Sequence, residues 1–195
     1  MKLVTCLLVM LALLLLDAGL GWPVEPEQRY LFYLHGKWIE LHGLHQPHPT
    51  HGLYEYEHIV RAFADRGYEV ISEVRRDEVE TEPYARKVAD QVRALLDAGV
   101  PPRHITIVGH SKGGQMVLIV ASLVQEARVN YVIMAGCGKR GAMFRKGYER
   151  FLQSHARDLD GRMLSLYDSS DREAGSCQEA FDAAPRADTR EVTLR

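Results

Sequence analysis

Apolar residues in this chain fall into short blocks separated by polar or glycine-rich turns, and the blocks alternate in character. Tyr30–Leu34 is aromatic and apolar throughout and predicts a strand. Tyr56, Ile59, Val60 and Phe63 recur at helical spacing and predict a helix ending near Gly67. Tyr68–Ser72 reads as the next strand, and residues 75–80 as a charged loop. Thr81-Glu82-Pro83 then opens a helix, with Thr81 expected as its cap and Pro83 in its first turn. Ala85, Val88, Val92, Leu95 and Leu96 form the inner face of that helix, and Gly99 with Pro101-Pro102 closes it. Ile105, Ile107 and Val108 make a β-branched run, and the stretch from Met116 to Val124 is apolar nearly all round, as in a buried helix. Tyr131–Ala135 predicts a strand, residues 139–161 a basic helical crossover, and Met163–Tyr167 another strand. A short helix over Gln178–Ala183 and a last strand over Glu191–Leu194 complete the series. Strands alternate with helices and no hairpin signal appears. The expected class is therefore α/β, a mostly parallel sheet of about six strands with helices on both faces.

The first residues follow a different pattern. Lys2 precedes an apolar run from Leu3 to Leu16, and small residues follow Asp17. This reads as a secretory signal peptide over residues 1–21, with residues 22–28 as an exposed mature N-terminus and 29–195 as a single domain. The run is too short to cross a bilayer comfortably, so no stable membrane anchor is expected after cleavage, and the location is read as secreted or periplasmic. Removing the leader takes Cys6 with it and leaves Cys137 and Cys177. An even count in an exported protein makes them a disulfide candidate. Charge adds little: 24 basic residues against 26 acidic ones give no case for a nucleic-acid partner.

The candidate chemistry sits between the fifth apolar block and the buried helix, at Gly109-His110-Ser111-Lys112-Gly113. A serine on a sharp strand-to-helix turn needs neighbours without a Cβ two places before and two after, because strand and helix nearly touch there. Gly109 and Gly113 hold those places. The turn lifts the Ser111 hydroxyl clear, and the backbone N–H of Lys112 opens a helix where it can stabilise an oxyanion. This G-x-S-x-G turn resembles the nucleophile elbow of the α/β-hydrolase family, and the resemblance extends over most of the chain after the first 28 residues. It implies a serine hydrolase acting on a carboxylic ester or related acyl bond of a small-molecule substrate, with no metal and no organic cofactor. It also implies that the strand ending in His35-Gly36-Lys37 supplies the second oxyanion donor, from Gly36 or Lys37.

A serine needs an imidazole to take its proton and a carboxylate to orient that imidazole. The resemblance puts the acid just past the strand Met163–Tyr167, where Asp171 is the first choice and Asp168 the second. No histidine follows Asp171; the last is His155. The base is therefore expected beyond Arg195, the domain being read as C-terminally incomplete. The alternatives are a non-catalytic binding protein of the same fold, or a base drawn from the loop histidines. Those histidines, His42, His45, His48 and His51, recur every three positions in and just past a stretch (residues 38–50) read as a long loop because Pro47 and Pro49 exclude a helix there. With no cysteine or carboxylate cluster among them, they are read as a polar loop near the substrate mouth rather than as a metal site.

Overall fold

The computed structural model describes residues 28–76 and 78–195. The expected leader, and all but the last residue of the expected mature N-terminus, lie outside the described residues. In chain order the elements are β1 (Arg29–Leu34), α1 (Lys37–His42), α2 (Tyr56–Ala64), β2 (Tyr68–Ile71), α3 (Thr81–Asp97), β3 (Ile105–His110), α4 (Lys112–Val124) and β4 (Asn130–Met134). They continue with β5 (Cys137–Gly138), α5 (Arg145–Ser154), β6 (Asp160–Asp168), β7 (Ala174–Gly175), α6 (Gln178–Asp182) and β8 (Arg186–Leu194).

Six strands form one sheet in the order β2-β1-β3-β4-β6-β8, and every pairing within it is parallel. The two-residue strands β5 and β7 pair separately and antiparallel. The period of two along each strand divides the core. Phe32, Leu34, Ile105, Ile107, Tyr131 and Ile133 face the larger cluster with α3, α4 and α5, and α4 is buried along most of its length. Leu31, Tyr33 and Val108 face the smaller cluster, packed with Ile39 of α1 and Tyr56, Ile59 and Phe63 of α2. Helices thus cover both faces, and all parallel strands end on one side, where loops gather the polar residues.

The structure corrects three local expectations. Residues 37–42 are helical, so the segment read as a loop from residue 38 begins with α1; Pro47 and Pro49, which exclude a helix, stand five and seven residues past its end. The cap of α3 is Glu80, with Thr81 already the first helical residue and no side-chain cap bond. The last strand starts at Arg186, five residues before the predicted Glu191, because its first half is polar and carries no apolar run; it pairs through backbone and an Arg186–Asp160 ion pair.

Candidate active site

Ser111 stands between β3 and α4 with φ 54° and ψ −118°, a left-handed conformation that a residue with a Cβ adopts only under strain. Its N–H donates to the Met134 carbonyl at 2.8 Å, and its own carbonyl accepts the Gln115 N–H at 3.1 Å as the first turn of α4. A Cβ on Gly109 would lie 2.3 Å from the Gly113 carbonyl oxygen, so strand and helix touch at this turn as the sequence spacing requires. Lys112 is the first helical residue, and its N–H therefore has no acceptor within the helix.

Gly36 and Lys37 come to the same place from β1. A Cβ on Gly36 would stand 3.5 Å from the Ser111 Cβ and 3.2 Å from His110 Nδ1. His110 itself is turned aside. Its Nδ1 lies 3.4 Å from the Tyr54 hydroxyl, and burial lowers its pKa. The charge of Asp171 opposes that shift and that of His51 adds to it. Tyr54 was not singled out by sequence. Its hydroxyl shares a 2.7 Å hydrogen bond with the buried Tyr33, and burial raises its pKa against opposing hydrogen bonds from Tyr33 and the Gly36 backbone.

The two candidate acids differ. Asp168 Oδ1 accepts both the N–H and the hydroxyl of Ser170, at 2.7 and 2.6 Å, and these bonds depress its pKa. Its carboxylate closes its own turn. Asp171 Oδ1 accepts the N–H groups of Glu173 and Ala174 at 2.8 and 3.0 Å, and no hydrogen bond to its Oδ2 occurs among the described residues. The loop carrying Asp171 is held from several sides. Lys139 Nζ donates to the Asp171 carbonyl at 2.5 Å, the Lys139 N–H donates to the Glu173 carbonyl, and β5 pairs with β7. Cys137 and Cys177 are bonded to each other, and Glu191 of β8 accepts the Cys177 N–H at 2.7 Å.

Behind the elbow lies a set of charges that sequence reasoning missed. Glu40 of α1 accepts from Arg75 Nε at 2.8 Å and from Lys112 Nζ at 2.5 Å, and Lys112 Nζ also donates to the Val79 carbonyl. The Arg75 N–H donates to His35 Nε2 at 2.9 Å, which leaves the ring proton on Nδ1, where it donates to the Gly36 carbonyl at 2.8 Å. Arg75 also donates to the His35 carbonyl. Burial first, and then the Arg75 charge, lower the His35 pKa to about 4, so the ring is neutral.

Three of the four loop histidines gather with Trp38 in a cluster of tilted and edge-on rings. Trp38 lies 3.9 Å from His42 and 4.4 Å from His48, and His48 lies 4.6 Å from His51, between centroids. Among the described residues no group of His, Cys, Asp and Glu could hold a metal ion.

Comparison with solved structures identifies the fold. The chain superposes on a puromycin-hydrolysing peptidase of Mycobacterium tuberculosis with a TM-score of 0.55 at 17% identity, covering 88% of this chain but only 31% of the peptidase. It superposes on SOBER1 of Arabidopsis thaliana with a TM-score of 0.53 at 13% identity, covering 85% and 89%. For esterase B of Lactobacillus rhamnosis the TM-score is 0.53 at 16% identity, covering 87% and 67%. The chain has the α/β-hydrolase fold. No protein-family model and no curated protein sequence matches the chain. Within the α/β-hydrolase fold, the elbow and the β1 loop lie at the carboxyl ends of adjacent strands, and the loop after β6 lies at the same end of the sheet with β4 between, where open α/β sheets place their ligands.

Proposed function

We propose that the protein is an exported serine hydrolase that cleaves a carboxylic ester or related acyl bond through Ser111. The observation that carries this reading is the strained backbone of Ser111, with the Lys112 N–H and the Gly36–Lys37 backbone beside it. The esterase and peptidase among the structural neighbours act on bonds of this class. Of the two second donors, Lys37 is favoured. The Gly36 carbonyl is bound to the His35 ring, and in a trans peptide the following N–H points the opposite way.

In this mechanism the Ser111 oxygen attacks the acyl carbon while its proton passes to an imidazole base. The oxygen that becomes negative is held by the N–H groups of Lys112 and Lys37. Collapse breaks the bond to the leaving alcohol, which takes the proton from the imidazole. Water then attacks the acyl-serine with the same base and restores the hydroxyl. Asp171 orients the imidazole through its free oxygen. Among the described residues no imidazole hydrogen-bonds the Ser111 hydroxyl, and this favours the second reading, a binding protein of the same fold without catalysis.

A fluorophosphonate probe separates the two. Labelling of the protein that disappears in Ser111→Ala supports the hydrolase; labelling that survives the substitution removes Ser111 from the mechanism, and no labelling at all supports the binding protein. Export is supported by the leader pattern and by the disulfide. N-terminal sequencing of protein recovered outside the cytoplasm should start near Trp22.

A further inference from the structure

Charged side chains are seldom withdrawn from water, because desolvation of an ion pair can exceed its Coulombic gain. Here two are fully withdrawn: the Arg75 and Glu40 side chains are both 0% exposed, and Lys112 retains only 12%. Among the described residues Arg75 Nη1 has no hydrogen-bond partner, and the guanidinium lies 5.1 Å from the Tyr84 ring centroid. What the three charges share is position. Glu40 is on α1, whose first residue is Lys37, and Lys112 is the first residue of α4. One carboxylate therefore joins the two helices whose opening N–H groups flank Ser111. Its Oε2 binds the ammonium of α4, and its Oε1 binds the guanidinium whose backbone fixes the His35 ring and, through it, the Gly36 carbonyl.

We propose that Glu40, held between Lys112 and Arg75, is a positioning residue that sets the Lys37 and Lys112 N–H groups at one distance from the oxyanion. The inference rests on the serine-hydrolase reading and deepens it. Glu40 touches no substrate; it acts through the backbone it holds. An oxyanion donor acts only where it meets the charge that forms in the transition state, so a small separation of the two helices lowers kcat while substrate binding is unaffected. Lys112 has two distinct parts in this scheme, its N–H at the oxyanion and its ammonium on Glu40.

The test uses the full chain with a p-nitrophenyl ester as substrate and phenylboronic acid as a tetrahedral analogue. Labelling of wild-type Ser111 by the fluorophosphonate comes first; its absence overturns the serine-hydrolase reading and this inference with it. With labelling in hand, Glu40→Gln should lower kcat on the order of 10- to 100-fold and leave KM within about twofold. Affinity for the boronate should fall by a factor similar to that in kcat. If Glu40→Gln does not fold, Lys112→Met should show the same split, and Lys112→Arg should restore most of kcat. A lowered unfolding midpoint with unchanged kcat, in either variant, would mean the charges only hold the fold and would overturn the proposal. So would a rise in KM that matches the fall in kcat/KM.

Discussion

Gly113 and Leu34 are so close that a Cβ on the glycine would stand 1.9 Å from the leucine carbonyl oxygen. That contact joins α4 to β1, and thus the helix that follows Ser111 to the strand that precedes Gly36 and Lys37. Gly113→Ala must push backbone against backbone in a packed interior. It is expected to destabilise by about 3 kcal/mol or more. Gly141 is the comparison: it has φ 86° and nothing within 4 Å, so Gly141→Ala should lose only about 1–2 kcal/mol of left-handed strain. Urea unfolding of the two variants measures the difference, and equal losses would contradict the close contact.

The strain at Ser111 should be releasable. Ser111→Gly removes the Cβ from a backbone with φ 54° and is expected to stabilise the fold by about 1 kcal/mol, while Ser111→Ala keeps the strain and should change little. Neither variant should take the fluorophosphonate. A Ser111→Gly protein less stable than Ser111→Ala would mean that the turn is unstrained.

His35 predicts an acid dependence of stability. Its folded pKa is about 4 against an ordinary value of 6.5, through burial and the Arg75 charge, with Lys112 acting in the same sense and Glu40 and the Gly36 backbone opposing. Between those values the unfolded chain binds a proton that the folded chain refuses. The contribution is complete above about pH 6.5 and is lost as pH falls toward 4, roughly 3 kcal/mol over the interval. Urea midpoints at pH 7.5 and 5 should differ accordingly, and the slope should flatten in His35→Gln. A slope that is the same in that variant assigns the effect elsewhere.

Reduction of Cys137–Cys177 opens a loop of sequence separation 40 and should lower stability by about 4 kcal/mol by chain entropy. The bridge also holds the segment that carries Asp171. Turnover in mild reductant should therefore fall before the protein unfolds, which parallel activity and circular dichroism measurements would detect. Activity lost only in step with unfolding would show that the Asp171 loop is fixed without the bridge, by Lys139 and β7.

The elbow was legible because its requirement is local: two glycines flanking a serine at fixed spacing between a β-branched run and an apolar one. The alternation of strands and helices was legible for the same reason, since period and punctuation are written in neighbouring residues. The buried contacts among the Glu40, Arg75 and Lys112 side chains were not legible. Their partners stand 35 and 72 positions away, and single charges in polar stretches read as solvated surface. The helix α1 was missed because six residues give fewer than two turns of periodicity, too little to outweigh the prolines that follow. Tyr54 joined the site only when tertiary packing brought it to His110.

The outer edge of the sheet has consequences for how copies of this protein meet. β8 is one of the two edge strands of the described sheet, nine residues long, and among the described residues no strand pairs with its outer side. Such an edge invites self-association between molecules. Here it carries Arg186, Asp188 and Arg190, all exposed, in a segment whose apolar members are few. Dehydrating those charges opposes a second strand laid alongside, so the edge acts as its own gatekeeper against aggregation.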